Sequence, residues 1–356
     1  MIAQNMWLWG QIAALAFFGS LAISGFMATA GLGDASVGRS AHKGTIPTAG
    51  GVGYLAGIGL SLCAVALIFP DLSLPIGFAS VLALVFAIGV LGLVDDALTL
   101  GPKVKFGLML LVCGAAASLI GPPRTLPFIG TPLEIFPVFG LTGAMLWIFV
   151  VMNAVNFMDG ANGMMGITMM IANVGLFGAA LVGDSVAAQL LSGLSLMALL
   201  GFLPYNFRRK ARVFAGDVGS LSLGFLFAVT ALFLITDTPD ATFHLVGPVL
   251  ILPLLGDVLL TLIRRARTRE NLLKSHNTHL YQRLIQSGFG HLTVSWFYGL
   301  TSLFCANIVV FGVTKGWFNT IHISLILVGS VVAAYFLISR GLSARRLANP
   351  RDNEAS

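Results

Sequence analysis

Two adjacent carboxylates, Asp95 and Asp96, follow directly on an apolar run ending in Leu93-Val94, and Lys103 and Lys105 come soon after them. Acids at the edge of an apolar segment are costly without a partner. Mg2+ suits such a place because it takes one or two carboxylates together with the phosphate oxygens of a substrate. The same pair also serves simply to cap a helix end, and alone it does not separate the two. A second cluster, Asn153, Asn156 and Asp159 in NAVNFMDGANG, recurs at intervals of three, which on a helix end turns the three side chains toward one side. Gly160 and Gly163 allow a tight turn and close approach of a ligand to backbone. A polar helix terminus that satisfies its own backbone groups has the same pattern. Asp217, between Gly216 and Gly219-Ser220, precedes another apolar run, where free N–H groups favour anions. It is a helix cap or a metal ligand whose other partners are phosphate oxygens.

Three further groups carry charge or titrate. His276 and His279, in HNTHLYQRL, are one helical turn apart on a helix and flanked by Arg, Lys and Gln. Zinc needs further His, Cys or carboxylate ligands, and none has suitable local spacing, so contact with phosphate or sugar is the expectation. Arg39, His42 and Lys43 in RSAHKGTIPTAGG form a cationic patch on a flexible backbone. Asp257 lies inside an apolar run, about 10 Å of helix rise before Arg264. An intramembrane acid is functional by default, unless it pairs with a Lys or Arg from another loop.

The elements that position these residues follow from composition. Of 356 residues 57% are hydrophobic and only 10% charged, against about 25% charged in a soluble domain. That excludes one or two water-soluble cores. The +6 net charge, spread in small clusters, reads as membrane topology and not as a nucleic-acid surface. Cys63, Cys113 and Cys305 sit in separate apolar runs as small core residues. Eleven segments are apolar enough to span a bilayer: 8–30, 50–69, 76–94, 106–120, 140–154, 163–182, 185–203, 219–236, 243–263, 292–313 and 322–339. The first lacks a preceding Lys or Arg and is expected to be a retained span, not a cleaved signal. Five loops, 31–49, 95–105, 155–162, 204–218 and 264–291, together with the C-terminal tail, hold 18 of the 20 Lys and Arg; Arg124 and Lys315 are the exceptions. By the positive-inside rule those loops are cytoplasmic, with the N-terminus outside and the C-terminus inside. Segment 121–139, with five prolines, is expected to form a hairpin or surface loop. The chain therefore reads as an all-α integral membrane protein of about eleven transmembrane helices. Residues 1–341 form one polytopic domain and 342–356 a disordered cytoplasmic tail, with the active site on cytoplasmic loops.

The ordered set HKGTIPTAGG, LVDDALTLGPKVKF, NAVNFMDGANG, FAGDVGS, PLLGDVLLTLIRR and HNTHLYQRL resembles the polyprenyl-phosphate N-acetylhexosamine-1-phosphate transferase family across residues 39–283. That resemblance implies a multi-span helical enzyme, a glycosyl-1-phosphate transferase, that uses Mg2+, with Mn2+ as a substitute. It would join a UDP-N-acetyl sugar to undecaprenyl phosphate and release UMP. It implies that Asp95 and Asp96 form the acidic pair acting on the lipid phosphate, and that Asp217 is the principal Mg2+ ligand, with Asp96 and Asp159 completing the metal set. Asn153, Asn156 and Asp159 match the motif lining the nucleotide and metal region, and Phe214 the aromatic that stacks on uracil. Lys43 and Lys105 match cations near the phosphates, and His276 and His279 the histidine motif. Asn206, Arg264 and Arg265 complete the expected substrate-binding set.

The sequence lacks the three-histidine run typical of muramoyl-pentapeptide transferases and the His-Ile-His-His form of several GlcNAc-1-phosphate transferases. It looks like the branch that starts O-antigen or related envelope glycans. The expected setting is the bacterial cytoplasmic (inner) membrane, with membrane lipids as partners, a second copy as a homodimer, and no nucleic acid. Phospho-N-acetylmuramoyl-pentapeptide transfer is the nearest alternative. A transporter is the alternative of another class, but it would place its polar groups near the bilayer midplane on broken helices. Phosphoryl transfer asks a protein mainly for positioning and electrostatic stabilisation. The expected step is direct attack of the lipid phosphate on the β-phosphorus with Asp95 assisting; a covalent phosphosugar on an Asp is the other route.

Overall fold

A computed structural model describes residues 5–30, 47–126, 132–238, 240–272, 276–315 and 321–348. Lys43, with Arg39 and His42, lies outside them. Thirteen helices account for most of the described chain: α1 (Met6–Ala30), α2 (Gly51–Ile68), α3 (Phe78–Leu98), α4 (Pro102–Ile120), α5 (Pro137–Phe157), α6 (Met164–Val182), α7 (Val186–Asn206), α8 (Gly216–Asp237), α9 (Val246–Leu250), α10 (Leu252–Arg267), α11 (Leu280–Gln286), α12 (His291–Thr314) and α13 (Ile321–Ala348). Ten are long and apolar enough to cross a membrane, and the count reaches eleven if the pair formed by 243–250 and α10, bent by 70° at Ile251, is one span. The expectation of about eleven helical spans is met. The ninth, read as continuous over 243–263, is broken, with Pro253 at the start of α10 and no donor to continue the ladder.

α8 is the centre of the bundle. Every residue from Val218 to Leu234 is buried, which is why it is apolar all round and not along one stripe. It packs on α2, α3, α5 and α7. Two of these crossings depend on glycine: a Cβ on Gly51 would overlap Gly219, and one on Gly92 would come 2.5 Å from the Asp217 carbonyl oxygen. Small residues let helix backbones approach closely where the bilayer offers no hydrophobic drive between helices.

Boundaries shift where sequence periodicity is weak. α3 continues through Asp95 and Asp96, and α4 begins at Pro102, so loop 95–105 shrinks to three residues, Thr99 to Gly101. The proline-rich segment forms a two-residue antiparallel pairing, β1 (Thr125–Leu126) with β2 (Leu133–Glu134), and α5 then starts at Pro137, where proline is tolerated in a first turn. α13 runs to Ala348, so residues 342–348 are helical and not part of an unstructured tail.

Candidate active site

The last turns of α3 and α5 and the first turns of α4 and α8 lie together at one end of the bundle. Entry into α8 is set by backbone pairing: Phe214 N–H donates to Pro47 O (2.9 Å), Gly50 N–H to Phe214 O (2.9 Å) and Gly51 N–H to Ala215 O (3.0 Å). Gly216 then adopts φ +69°, a left-handed conformation that suits glycine. A Cβ there would strike the Thr48 carbonyl and come 2.9 Å from Asp96 Oδ2.

The free N–H groups of the first turn of α8 meet two carboxylates from elsewhere. Gly216 N–H donates to Asp159 Oδ2 (3.1 Å) and Asp217 N–H to Asp96 Oδ2 (3.1 Å). Asp217 Oδ1 accepts from Asn156 Nδ2 (2.7 Å), which also reaches Ser220 Oγ (2.8 Å), and Asp217 Oδ2 is ion-paired with Lys105 Nζ. The same ammonium holds Asp95 Oδ2 at 2.6 Å, and Asp95 Oδ1 accepts from Leu100 N–H (2.8 Å). Two carboxylates, Asp95 and Asp217, thus share the Lys105 ammonium, and two more, Asp96 and Asp159, sit on the first turn of α8 beside them, brought together by helix ends from four parts of the chain. Lys105, Asp95 and Asp217 keep side-chain exposures of 11%, 15% and 16%, so the cluster is recessed and still open.

Asp159 is the least satisfied member. Its Oδ1 is buried and accepts no hydrogen bond. Burial holds its carboxyl well above the usual carboxylate range; the Gly216 and Ala215 N–H groups offset this in part, and the negative charges of Asp217 and Asp96 reinforce it. A buried lone acceptor beside like charges is poor structure on its own terms. A hard divalent cation fits this donor set: its oxygen donors are carboxylates, and negative charge is in excess. Among the described residues no three His, Cys, Asp or Glu side chains close a metal cage. An oxygen-only donor set of this kind is compatible with Mg2+, which takes one or two carboxylates and leaves room for substrate phosphates and water.

The histidine loop packs beside this cluster. His276 and His279 were expected one turn apart on a helix. They lie instead before α11, with His279 at its N-cap position and its N–H donating to Gln282 Oε1 (3.1 Å). Their ring centroids are 4.8 Å apart, and His276 Nδ1 is 3.0 Å from Thr278 Oγ1. Burial, then the charges of His279 and Arg265, push the His276 imidazole down to about 4. The His279 ring stacks on Phe157 (5.8 Å), and Tyr281 Oη donates to Phe157 O (3.1 Å). Phe157 directly follows Asn156, so the loop meets the acid cluster through the end of α5.

The other expected contacts sort differently. Asn153 turns away from its motif partners and donates to Phe149 O (2.7 Å) on its own helix. Asn206 is fully buried, accepting from Gly163 N–H (2.9 Å) and donating to Val213 O (2.9 Å), so it braces two turns and presents no surface to a substrate. The Phe214 ring is 5% exposed. Arg264 donates to Thr278 O (3.0 Å) and buried Arg265 to Asn271 O (2.7 Å), so both guanidinium groups organise the loop that carries the histidines.

Residues not singled out from sequence also build the site. Ser220 shares the Asn156 amide, Tyr54 Oη donates to Gly219 O, and Asn162 Nδ2 donates to Arg208 O (2.8 Å) and Arg209 O (3.0 Å). Asn162 stood inside a motif already marked; nothing local distinguishes Tyr54.

Comparison with known proteins adds an independent line. Residues 78–235 match the model of glycosyl transferase family 4, a stretch that contains the acids and Lys105. A Bacillus subtilis (strain 168) protein named "Probable undecaprenyl-phosphate N-acetylglucosaminyl 1-phosphate transferase" is 28% identical, the match covering 83% of this chain and 81% of the relative. The decaprenyl-phosphate N-acetylglucosaminephosphotransferase of Mycobacterium leprae (strain TN) is 28% identical over 83% of this chain and 79% of its own. The phospho-N-acetylmuramoyl-pentapeptide-transferase of Staphylococcus epidermidis (strain ATCC 12228 / FDA PCI 1200) is 30% identical over 71% and 82%.

Proposed function

The chain belongs to glycosyl transferase family 4, the polyprenyl-phosphate N-acetylhexosamine-1-phosphate transferases, and from that premise we propose that it moves N-acetylhexosamine-1-phosphate from a UDP-sugar to undecaprenyl phosphate, releasing UMP. The observation that carries this reading is the meeting of Asp95, Asp96, Asp159 and Asp217 with Lys105 at the start of α8. Donor and acceptor are both polyanions, and their mutual repulsion has to be offset before an oxygen of one reaches phosphorus of the other. Asp217, with Asp96 and Asp159, would hold Mg2+. When bound, the ion neutralises charge on the diphosphate.

The chain's own residues do the rest. Lys105 lies between Asp95 and Asp217 and supplies the positive charge nearest the acids. Asn156 fixes the Asp217 carboxylate, and the short Thr99 to Gly101 turn fixes Asp95 through Leu100 N–H. In the proposed step an oxygen of the lipid phosphate forms a bond to the β-phosphorus, while the bond from that phosphorus to the oxygen bridging the α-phosphate breaks, and UMP leaves. Asp95 takes the proton of the lipid phosphate. The lipid tail needs only the apolar flank of the bundle. The basic loops support a cytoplasmic location for this end of the bundle, where a nucleotide sugar would be available.

GlcNAc is the proposed sugar, since the relatives matching most of the chain carry that substrate in their names, and the product would start an envelope glycan such as O-antigen. The N-acetylmuramoyl-pentapeptide reading is favoured by relatives that carry that substrate in their names over a smaller share of the chain. Purified protein incubated with undecaprenyl phosphate, Mg2+ and a panel of UDP-N-acetylhexosamines is expected to release UMP, fastest from UDP-GlcNAc. Equal release by wild type and Asp217→Asn removes the metal assignment. A phosphosugar adduct on an Asp, isolated without lipid acceptor, replaces direct attack by a two-step route.

A further inference from the structure

Asp257 is 3% exposed, in the second turn of α10 just past the 70° break. The alternative the sequence leaves open, a Lys or Arg partner from another loop, is not what meets it. Its Oδ1 accepts from Leu280 N–H (2.7 Å) and Thr261 Oγ1 (3.1 Å), and its Oδ2 from Tyr281 N–H (3.1 Å) and Tyr298 Oη (2.7 Å). The two N–H groups belong to the first turn of α11, where no intrahelical acceptor exists. The residue just before them is His279, whose Nδ1 stands 3.7 Å from Asp257 Oδ1. That exceeds hydrogen-bond length and is within ion-pair reach.

The side chain type matters here. An ionised carboxylate accepts on both oxygens and donates nothing, whereas an amide must turn an NH2 toward donors. Four converging donors, two of them backbone groups that cannot reorient, therefore call for Asp and not Asn. The same unit is tied down from its far side, since Arg283 donates to Ser339 O (3.2 Å) and Thr261 Oγ1 lies 3.1 Å from Tyr335 Oη. On its near side the His279 ring lies against Phe157 and Tyr281 Oη holds Phe157 O, one residue from the Asn156 that fixes Asp217.

We propose that Asp257 is the positioning residue for His279: its buried carboxylate seizes the backbone on the C-terminal side of the histidine and sets the imidazole against the end of α5, beside the acid cluster. This rests on the transferase reading above, in which the histidine loop meets substrate phosphate, and Asp257 itself touches no substrate. A catalytic group misplaced by an ångström loses about 100-fold in rate, so Asp257→Asn is expected to lower kcat by about that factor with little change in KM for the UDP-sugar. Added to His279→Ala, it should cause no further loss, because both changes remove one unit. A full additional loss in the double variant overturns the proposal.

A second measurement does not depend on activity. The full-length protein, wild type and Asp257→Asn, is treated with diethylpyrocarbonate and the acylated histidines are mapped by mass spectrometry, with His244 outside the site as reference. His279 is expected to be protected in the wild type and labelled several-fold faster in Asp257→Asn, while His244 is unchanged. Continued protection of His279 overturns the proposal. If both histidines become labelled the variant has unfolded, and Tyr298→Phe, which removes one bond to Asp257, decides: a rise at His279 alone supports the tether and wild-type rates at both sites refute it. Wild-type protein that transfers nothing would strike down the transferase reading and leave this labelling result standing.

Discussion

Asp159 and Asp257 are both buried carboxylates at helix ends, and they are satisfied to different degrees. Asp257 has four donors on its two oxygens, three of them from α11 and α12 and one from Thr261 of its own helix. Asp159 is held by backbone N–H groups of the Ala215–Gly216 turn and leaves Oδ1 without a hydrogen bond, with Asp96 and Asp217 nearby. A filled carboxylate organises protein, whereas a starved one among like charges is prepared for something the protein does not itself supply. The two ends of the site therefore divide the work. One builds a scaffold for a histidine loop, and the other, on the proposed reading, would keep open a place for cation and phosphate.

The largest effect should come from the open end. Asp217→Asn is expected to cut UMP release by about 1,000-fold, the scale of losing a main electrostatic contact in a transition state, and to abolish the rise in thermal midpoint that Mg2+ is expected to give the wild type. A variant that keeps the Mg2+ shift breaks the comparison at its centre. Next, Asp257→Ala strands two backbone N–H groups and should destabilise the fold by about 3 kcal/mol, read by thermal unfolding, with no change in the Mg2+ shift. Gly216→Ala forces a Cβ into the Thr48 carbonyl at a positive φ. About 2 kcal/mol of stability should be lost, together with activity, because Asp96 and Asp159 both anchor on that turn.

The smallest effect sharpens the contrast by pH. The Asp159 carboxyl is raised in the fold, so the native state holds its proton where the unfolded chain has released it. Stability from this group is present below the ordinary value of 3.8 and declines as pH rises above it toward the raised folded value. In Mg2+-free buffer Asp159→Asn should remove that slope, and Mg2+ should flatten it in the wild type. An unchanged slope in Asp159→Asn means that Oδ1 is satisfied.

Much of this was legible before folding. Asp95, Asp96, Asp159 and Asp217 each stood at an apolar boundary where an acid is costly, and that cost marks them without any neighbour in view. Asn206 and Arg265 show the limit. Both are polar, near a loop and near a motif, and both turn inward to brace backbone. Local sequence does not say which way a polar side chain at a helix end faces. The histidines illustrate the same limit, since three-residue spacing suits a helix but His279 lies just outside one.

Composition and hydrophobic run length by themselves determined that the chain is a bundle of about eleven membrane helices, because in a bilayer each backbone polar group must be satisfied within its own segment. They also determined where acids and cations sit along the chain. Only the tertiary structure decided that Lys105 links Asp95 to Asp217, that Asp96 and Asp159 share the first turn of α8, and that Asp257 belongs to the histidine loop. Those pairings span up to 121 residues. They depend on how closely glycine-faced helices approach one another, a property of packing between segments that no single segment contains.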